Sequence, residues 1–314
     1  MFFEVVLGII VGVAFLLLLI TFICFLKTFY SPPRKPLKKD EYRTAKGEIY
    51  EPYRPQMIEW IKELRTRPHE DFSMVTFDGL TLRGKYYECQ KGAPIELMFH
   101  GYRSNAESDL CGGVQRCFAL GHNAFIVDQR GAGNSDGHVI SFGINEHKDC
   151  LCWINFIIDH FGKDVKIILT GISMGGATVL NAAGKELPDN VVFILSDCGF
   201  SSPKDIIQKV ITDMRLRPKL VYPLIKFAAQ LFGKFDLEET SPLEAMRTCK
   251  KPVIFFHGKA DAYVPCSMSE KVYEACKTHK KLVLVDDAGH GLSCMLDNEG
   301  YLKALKEFGE ECGL

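Results

Sequence analysis

The chain has 314 residues, which is enough for one large α/β domain of roughly 250 residues and marginal for two domains. Hydrophobic residues make up 47% of the chain and charged residues 25%, and the formal net charge is −1. Because so balanced a chain has no field that would attract nucleic acid, we exclude nucleic acid as a partner.

The first predicted element is a membrane-spanning helix. Residues 5–26 form an apolar run without a charged side chain, and about 20 such residues cross a bilayer as a helix. A buried core helix of this length would show a polar face. A cleaved signal peptide, the other alternative, would begin with a basic segment, whereas Glu4 is the only charged side chain before this run. We therefore predict an uncleaved transmembrane anchor over residues 1–30.

The charges after the anchor predict its orientation. A basic, proline-rich linker follows over residues 31–50, and between Lys27 and Lys46 the only acidic residues are Asp40 and Glu41. The cations of this region are Lys27, Arg34, Lys35, Lys38, Lys39, Arg43 and Lys46. Because the side richer in Lys and Arg stays in the cytoplasm, we predict a single-pass protein of the cell membrane whose domain over residues 51–314 is cytoplasmic. The 12 cysteines lack the spacing of zinc ligands and suit a reducing compartment.

Beyond the linker, short apolar runs alternate with helical patterns. Residues 52–67 are typical of an amphipathic helix, and two strands joined at Asp78-Gly79 are predicted over residues 72–77 and 80–87. Further strands are predicted at residues 95–99, 124–127, 165–169, 191–195, 253–256 and 282–285, with helices near residues 108–120, 145–161 and 175–186. This alternation indicates a doubly wound, mostly parallel sheet, whose active site lies at the carboxyl ends of the strands.

A long insertion after the run at residues 191–195 predicts a cap. The segment from about residue 200 to 248 is longer than one crossover helix requires, and it contains helical patterns near residues 203–215 and 219–233. Both patterns carry apolar residues on more than one side. We predict a small helical cap over the strand ends, with an ordinary crossover and an elaborated loop as the alternative.

One motif gives this architecture a chemistry. The strand at residues 165–169 leads into Gly171-Ile172-Ser173-Met174-Gly175, and a helical pattern follows. In a strand–turn–helix context, G-x-S-x-G holds the serine on a tight turn with its hydroxyl above the sheet. Glycine at both flanks avoids a Cβ collision across the turn. Ser173 is therefore the predicted nucleophile.

A serine nucleophile needs a base and an orienting carboxylate, which follow it in the order Asp or Glu and then His. His290 comes after the final predicted strand and Asp261 after the preceding one, so both side chains can converge on Ser173. His257 also ends a strand, where we expect a structural role. Asp197, after the strand that precedes the cap, is the rival candidate for the carboxylate.

Backbone donors are also predicted. One is the N–H of Met174, directly after the nucleophile, and the second comes from the loop after the first parallel strand, where we choose the N–H of Tyr102. Residues 128–135 form a further glycine-rich loop. In the structural interpretation Asp128 and Arg130 brace the loops of the oxyanion hole, and in the functional one they form a rim of the pocket.

Together these motifs resemble the α/β-hydrolase superfamily. H-G at residues 100–101, D-x-R-G-x-G-x-S at 128–135, G-x-S-x-G-G at 171–176, an Asp before the last strand and a late G-H occur in the order of that family. Over about residues 70–314 the chain is most similar to the branch of serine aminopeptidase-like and monoacylglycerol-lipase-like hydrolases. The resemblance implies the α/β-hydrolase fold, a triad of Ser173, Asp261 and His290, and a hydrolase that needs no metal or cofactor.

The predicted function is hydrolysis of a small or lipid-derived carboxylic ester through an acyl-enzyme intermediate. Membrane anchoring favours a substrate that partitions into the bilayer, such as a lysophospholipid or a monoacylglycerol. A peptidase or amidase of the aminopeptidase type would use the same triad. The alternative from another class is a catalytically inactive, membrane-tethered scaffold. The oligomeric state stays open.

Overall fold

The computed structural model describes residues 1–33, 38 and 40–314, so Arg34, Lys35 and Lys39 of the predicted basic linker lie outside the described residues. The strands are β1 (Glu70–Val75), β2 (Thr81–Tyr87), β3 (Ile95–Phe99), β4 (Asn123–Asp128), β5 (Ile167–Ile172), β6 (Val191–Asp197), β7 (Val253–Gly258) and β8 (Lys280–Val285). The helices are α1 (Phe2–Thr28), α2 (Arg54–Thr66), α3 (Ala106–Ala119), α4 (Glu146–Phe161), α5 (Met174–Ala183), α6 (Pro203–Asp213), α7 (Pro218–Ala228), α8 (Pro242–Thr248), α9 (Ser267–Ala275), α10 (Ser293–Leu296) and α11 (Asn298–Glu311). A 3₁₀ helix covers Glu48–Tyr53, and a π-helical turn covers Ala229–Gly233.

The strands form one sheet of eight in the order β1-β2-β4-β3-β5-β6-β7-β8. β1 and β2 pair antiparallel with each other, β2 pairs antiparallel with β4, and β3 to β8 are mutually parallel. The doubly wound, mostly parallel sheet is therefore confirmed, with strand ends that differ from the predicted runs by a few residues. Its parallel strands all end at one edge, where β5, β7 and β8 deliver the predicted site residues.

Successive side chains on the strands enter cores on opposite faces of the sheet. On β5, Leu169 packs in the core formed with α4 and α5, whereas Ile168 packs in the core formed with α11. Burial on both faces explains why the strands are runs of apolar residues without alternation. Glu96 interrupts the run of β3, and its fully buried carboxylate pairs with Arg116 and with His122. Burial alone would raise the pKa of Glu96, but these two partners lower it to about 2.

α1 is the one helix within the described ranges that is long and apolar enough to cross a membrane. Most of its side chains are exposed, and only its last turns pack against the rest of the protein. Thr21, Phe25 and, one residue past the helix, Phe29 are buried there. The backbone N–H of Ile140 then donates to the carbonyl oxygen of Phe29 across 2.9 Å, and Tyr30 bridges Val139. The end of the apolar helix is thus built into the fold.

The insertion after β6 contains α6, α7 and the π-helical turn, close to the two predicted helical patterns. These elements share an apolar cluster with Met174, the residue after the predicted nucleophile, and with Phe142. α8, at the end of the insertion, packs on α5 instead, where a Cβ on Gly184 would lie 2.6 Å from the Cβ of Ala245. Only the first part of the insertion therefore lies beside the strand ends, and we refer to α6, α7 and the π-helical turn as the cap.

Candidate active site

Ser173 lies at the sharp turn between β5 and α5. Its φ is 56°, a left-handed conformation that is uncommon for residues other than glycine and that costs about 1–3 kcal/mol. A Cβ on Gly171 would lie 2.0 Å from the carbonyl oxygen of Gly175, across the turn. A Cβ on Gly175 would lie 1.9 Å from the carbonyl oxygen of Phe99, so this glycine is required by the end of β3 and not by the turn itself.

The three predicted triad residues lie together at the carboxyl ends of the strands. His290 Nε2 is 3.0 Å from Ser173 Oγ, and His290 Nδ1 is 2.7 Å from Asp261 Oδ2. Asp261 stands in the loop after β7 and His290 in the loop after β8. Both distances are those of hydrogen bonds. Such a chain can carry the Ser173 proton to the imidazole while the carboxylate holds the ring in place.

Asp261 is held in its ionised form by its surroundings. Its Oδ1 accepts hydrogen bonds from the backbone N–H groups of Tyr263 and Val264, at 2.9 and 2.8 Å. His257 Nε2 lies 3.2 Å from Asp261 Oδ2. Burial alone would raise the pKa of Asp261, but hydrogen bonds from His257, from His290 and from the Val264 amide hold it well below its ordinary value.

His257 is a second histidine in contact with the Asp261 carboxylate. It is fully buried, its Nδ1 lies 2.7 Å from Ser269 Oγ, and its Nε2 lies 2.8 Å from the carbonyl oxygen of Val264. Because two acceptors face Nε2, the ring proton belongs on Nε2, and Nδ1 accepts from the Ser269 hydroxyl. His257 thus has the geometry of a structural residue, and its contact with Asp261 was not anticipated from the sequence.

Asp197, the rival carboxylate, occupies a different environment. Its Oδ2 accepts a hydrogen bond from the Tyr301 hydroxyl across 3.1 Å, and burial raises its pKa. Within the described residues it makes no hydrogen bond to His290. The geometry therefore joins His290 to Asp261 and leaves Asp197 in the core.

The two predicted oxyanion donors border Ser173. Met174 is the first residue of α5, where helix N–H groups lack intrahelical acceptors. Tyr102 belongs to the loop after β3, and a Cβ on the adjacent Gly101 would lie only 3.5 Å from Ser173 Cβ. In the described part of the chain, neither the Met174 nor the Tyr102 amide donates to another group. Both N–H groups are thus available to a ligand oxygen.

The end of α1 holds this loop. The Tyr102 hydroxyl donates to the carbonyl oxygen of Thr28 across 2.7 Å, and the Arg103 guanidinium donates to the carbonyl oxygens of Lys27 and Tyr30, each at 2.9 Å. The carbonyls of Lys27 and Thr28 belong to the last turn of α1, where no further helical amide can satisfy them, and that of Tyr30 lies just beyond the helix. Arg103 itself has a left-handed φ of 55°. Nothing in the sequence motifs pointed to these contacts.

Tyr50 is a second neighbour of the site that sequence reasoning missed. Its hydroxyl donates to the backbone carbonyl oxygen of His290 across 2.9 Å, from the 3₁₀ helix that precedes α2. Burial raises the pKa of Tyr50, so the hydroxyl keeps its proton and remains a donor. A lone tyrosine in a linker has no motif around it, and only the folded chain brings it to the histidine.

Asp128 and Arg130 have the contacts of bracing residues. Asp128 accepts from the backbone N–H of Ala106 and of Asn134, each across 2.9 Å, and so joins the start of α3 to its own loop. The guanidinium of Arg130 is buried and makes two 2.7 Å hydrogen bonds to Asp149 on α4. Asp128 thus braces the end of the loop after β3, as the structural interpretation predicts, whereas Arg130 ties the loop after β4 to α4.

One group near the triad has the donor atoms for a metal ion. Ligand atoms of Cys198, Asp261 and His290 all lie within 4.8 Å of one another. However, Asp261 and His290 already pair with each other, and burial raises the pKa of the Cys198 thiol well above its ordinary value. A cysteine binds a metal ion as the thiolate. The site residues therefore fit proton transfer better than metal binding.

The central segment of the chain matches a known family. Residues 97–222 match the family described as alpha/beta hydrolase fold. An uncharacterized protein of Bacillus subtilis, YqkD, is 30% identical over 60% of this chain and 62% of its own length. Protein bem46 of Schizosaccharomyces pombe is 27% identical over 78% of this chain and 75% of its own. An uncharacterized membrane protein of Saccharomyces cerevisiae, YNL320W, is 29% identical over 62% of this chain and 63% of its own.

Solved structures give the same fold. The Pyrococcus furiosus esterase Pf2001 superposes with a TM-score of 0.65 at 19% identity, covering 88% of this chain and 99% of that one. The mouse alpha/beta hydrolase domain-containing protein 10 superposes with a TM-score of 0.54 at 21% identity, covering 77% of this chain and 99% of that one. The strand order, the G-x-S-x-G turn and these likenesses agree, and the chain is a protein of the α/β-hydrolase fold preceded by an apolar helix.

Proposed function

We propose that the protein is a serine hydrolase that cleaves a carboxylic ester through an acyl-enzyme intermediate. Ser173 is the nucleophile, His290 the general base and acid, and Asp261 the carboxylate that orients the imidazole. The observation that carries this proposal is the continuous series of hydrogen bonds from Ser173 Oγ through both nitrogens of His290 to Asp261, at 3.0 and 2.7 Å. This intact series of hydrogen bonds also argues against the alternative of a catalytically inactive scaffold.

The reaction follows from these positions. As Ser173 Oγ bonds to the acyl carbon, its proton moves to His290 Nε2, and the carbonyl electrons become an oxyanion. The N–H groups of Met174 and Tyr102 stabilise that oxygen, and losing one such donor costs about 2.7–4 kcal/mol. The oxyanion collapses, the ester oxygen leaves with the proton from His290, and an acyl-enzyme remains. Water activated by His290 then releases the acid and regenerates Ser173.

The aromatic side chains packed with Met174, next to Ser173, form a wall that favours an apolar acyl group. Tyr102, Phe142 and Phe200 stand in ring contact, with centroids 5.0 Å apart for Tyr102 and Phe142 and 6.3 Å for Phe142 and Phe200. Together with Met174 they form one apolar cluster with the cap. A peptidase of the aminopeptidase type would need acidic side chains to bind a free amine, whereas these four side chains are apolar or aromatic. An ester of an apolar acid, soluble or lipid-derived, fits such a wall better.

The membrane placement belongs to the same proposal. α1 anchors residues 1–30 in the cell membrane, the linker of residues 31–50 follows, and the hydrolase domain of residues 51–314 lies in the cytoplasm. The apolar character of α1 and the name of the yeast relative support anchoring. The excess of Lys and Arg after the helix supports the cytoplasmic side.

Labelling with a fluorophosphonate probe, followed by assays with p-nitrophenyl esters and aminoacyl-p-nitroanilides, tests the proposal. The full chain should be labelled and should cleave the esters faster than the anilides. Ser173→Ala should not be labelled, and its kcat should fall by a factor on the order of 10⁶. Ser267→Ala, an exposed serine on α9, is the matched control and should behave as the unaltered chain. Labelling that survives in Ser173→Ala would refute the assignment, and faster cleavage of the anilides would make the protein an amidase.

A further inference from the structure

The cap exposes an unusual number of large apolar side chains. Met214 and Leu216 in the α6–α7 turn keep 65% and 47% of their surface exposed, and Leu220 and Phe227 on α7 keep 66% and 50%. The opposite face of α7 is already buried in the apolar cluster of the cap. A surface helix of a soluble protein needs one apolar face. The second face of α7 is therefore available to an apolar surrounding outside the protein.

Cations alternate with these apolar side chains. Arg215, Arg217 and Lys219 are exposed, and within the described residues none of them forms an ion pair. The nearby Asp213 is engaged by Lys209. A short stretch in which basic and large apolar side chains alternate is typical of segments that lie in the membrane interface, with the apolar groups among acyl chains and the cations at anionic headgroups.

The position of the cap relative to α1 gives the stretch its depth. α1 packs along α7, and the rings of Phe22 and Phe25 lie 5.1 and 5.6 Å from that of Phe232 in the π-helical turn. The buried contacts of α1 begin at Thr21, yet its apolar run continues to Leu26. At about 1.5 Å per residue, the cap therefore overlaps the apolar run by about 8 Å. Helices that lie in the membrane interface are buried to about this depth, roughly 5–10 Å.

We propose that the α6–α7 turn and the outward face of α7 lie in the membrane interface beside α1 and form a second contact with the bilayer. The acyl chains surround Leu216, Leu220 and Phe227, and anionic headgroups neutralise the three cations. The proposal assumes that α1 spans the bilayer, but it does not depend on the hydrolase activity. It also places the apolar cluster of the cap, which reaches Met174, within reach of molecules dissolved in the membrane.

Quenching by brominated lipids tests this position. The full chain is reconstituted in nanodiscs of phosphatidylcholine with phosphatidylserine, with acyl chains either brominated or not, and Leu220→Trp is compared with Lys91→Trp. Lys91 is exposed in the turn between β2 and β3, at the opposite edge of the sheet. After subtraction of the signal of the unaltered chain, bromination should reduce the emission of the Leu220→Trp indole at least twofold and leave that of Lys91→Trp unchanged.

Equal quenching of the two variants would overturn the proposal and leave the apolar face to a protein partner. Loss of the chain from the nanodiscs would overturn it together with its premise that α1 spans the bilayer.

The contact of the three cations with anionic headgroups is tested separately. Replacing Arg215, Arg217 and Lys219 by Gln should weaken the quenching of Leu220→Trp in anionic nanodiscs, whereas the same replacement of the exposed Lys91, Lys277 and Lys306 should not. Equal effects of the two triple variants would contradict the anionic contact.

Discussion

Two regions meet at Ser173, the triad loops and the junction of α1 with the cap, and they are encoded in different ways. The triad loops depend on short motifs, such as the glycines at 171 and 175, where a Cβ would lie about 2 Å from backbone atoms. The junction depends on apolar bulk, with Phe25 and Phe29 buried among side chains from distant parts of the chain. Replacing a triad side chain in the first region should therefore abolish chemistry without unfolding, whereas replacing a buried ring in the second should destabilise the fold.

After that of Ser173→Ala, the largest effect should come from Asp261→Asn. The amide retains the Oδ1 acceptor for the two backbone N–H groups but cannot hold the charged imidazole of His290, so kcat should fall by about 10⁴-fold while the midpoint of thermal unfolding changes little. Ester hydrolysis and calorimetry on the same preparation measure both. Asp286→Asn, in the next loop with a largely exposed side chain, is the control and should keep its activity. A comparable loss in Asp286→Asn would contradict the triad.

A smaller effect, on stability, should follow from Phe29→Ala. The ring is fully buried and stands 5.9 Å from Phe142 and 5.3 Å from Phe235, so its removal leaves a cavity that should cost about 3–5 kcal/mol of unfolding free energy. Thermal unfolding of the reconstituted chain measures this. Phe15→Ala should leave the fold unchanged, because Phe15 lies in the first part of α1 and 68% of its surface is exposed. Equal stability of the two variants would mean that the end of α1 is not part of the fold.

The sequence predicts the triad region well because its information is local. Apolar runs indicate β3 to β8, and the residues that follow three of these strands are the ones that converge on Ser173. Three contacts are not revealed by pattern alone, because they join residues that are far apart or have no motif. They are those of Tyr50 with His290, of His257 with Asp261, and of Arg103 with the end of α1. The ion pairs of the buried Glu96 carboxylate could not be predicted for the same reason, since its partners are on α3 and in the turn after it.

The smallest effect should come from Tyr50→Phe, which tests a contact at the edge of the triad region. It removes one hydrogen bond to the carbonyl oxygen of His290, a loss of about 0.5–1.5 kcal/mol, and leaves the ring in place. We expect a modest fall in the unfolding midpoint and a less than tenfold fall in kcat. Tyr53→Phe, in the same 3₁₀ helix, is the matched control. A loss of activity as large as that of Asp261→Asn would show that the hydroxyl takes part in the chemistry.

The contacts of Tyr102 and Arg103 with the last carbonyls of α1 have a practical meaning for work with this protein. Removing residues 1–30 to obtain a water-soluble form would withdraw the acceptors that orient the loop carrying one proposed oxyanion donor, and would uncover Phe142 and Phe235, which Phe29 covers. A truncated form would thus be a different catalyst and not the same enzyme without its tether. Its turnover should be read against the full chain in lipid before any substrate preference is assigned.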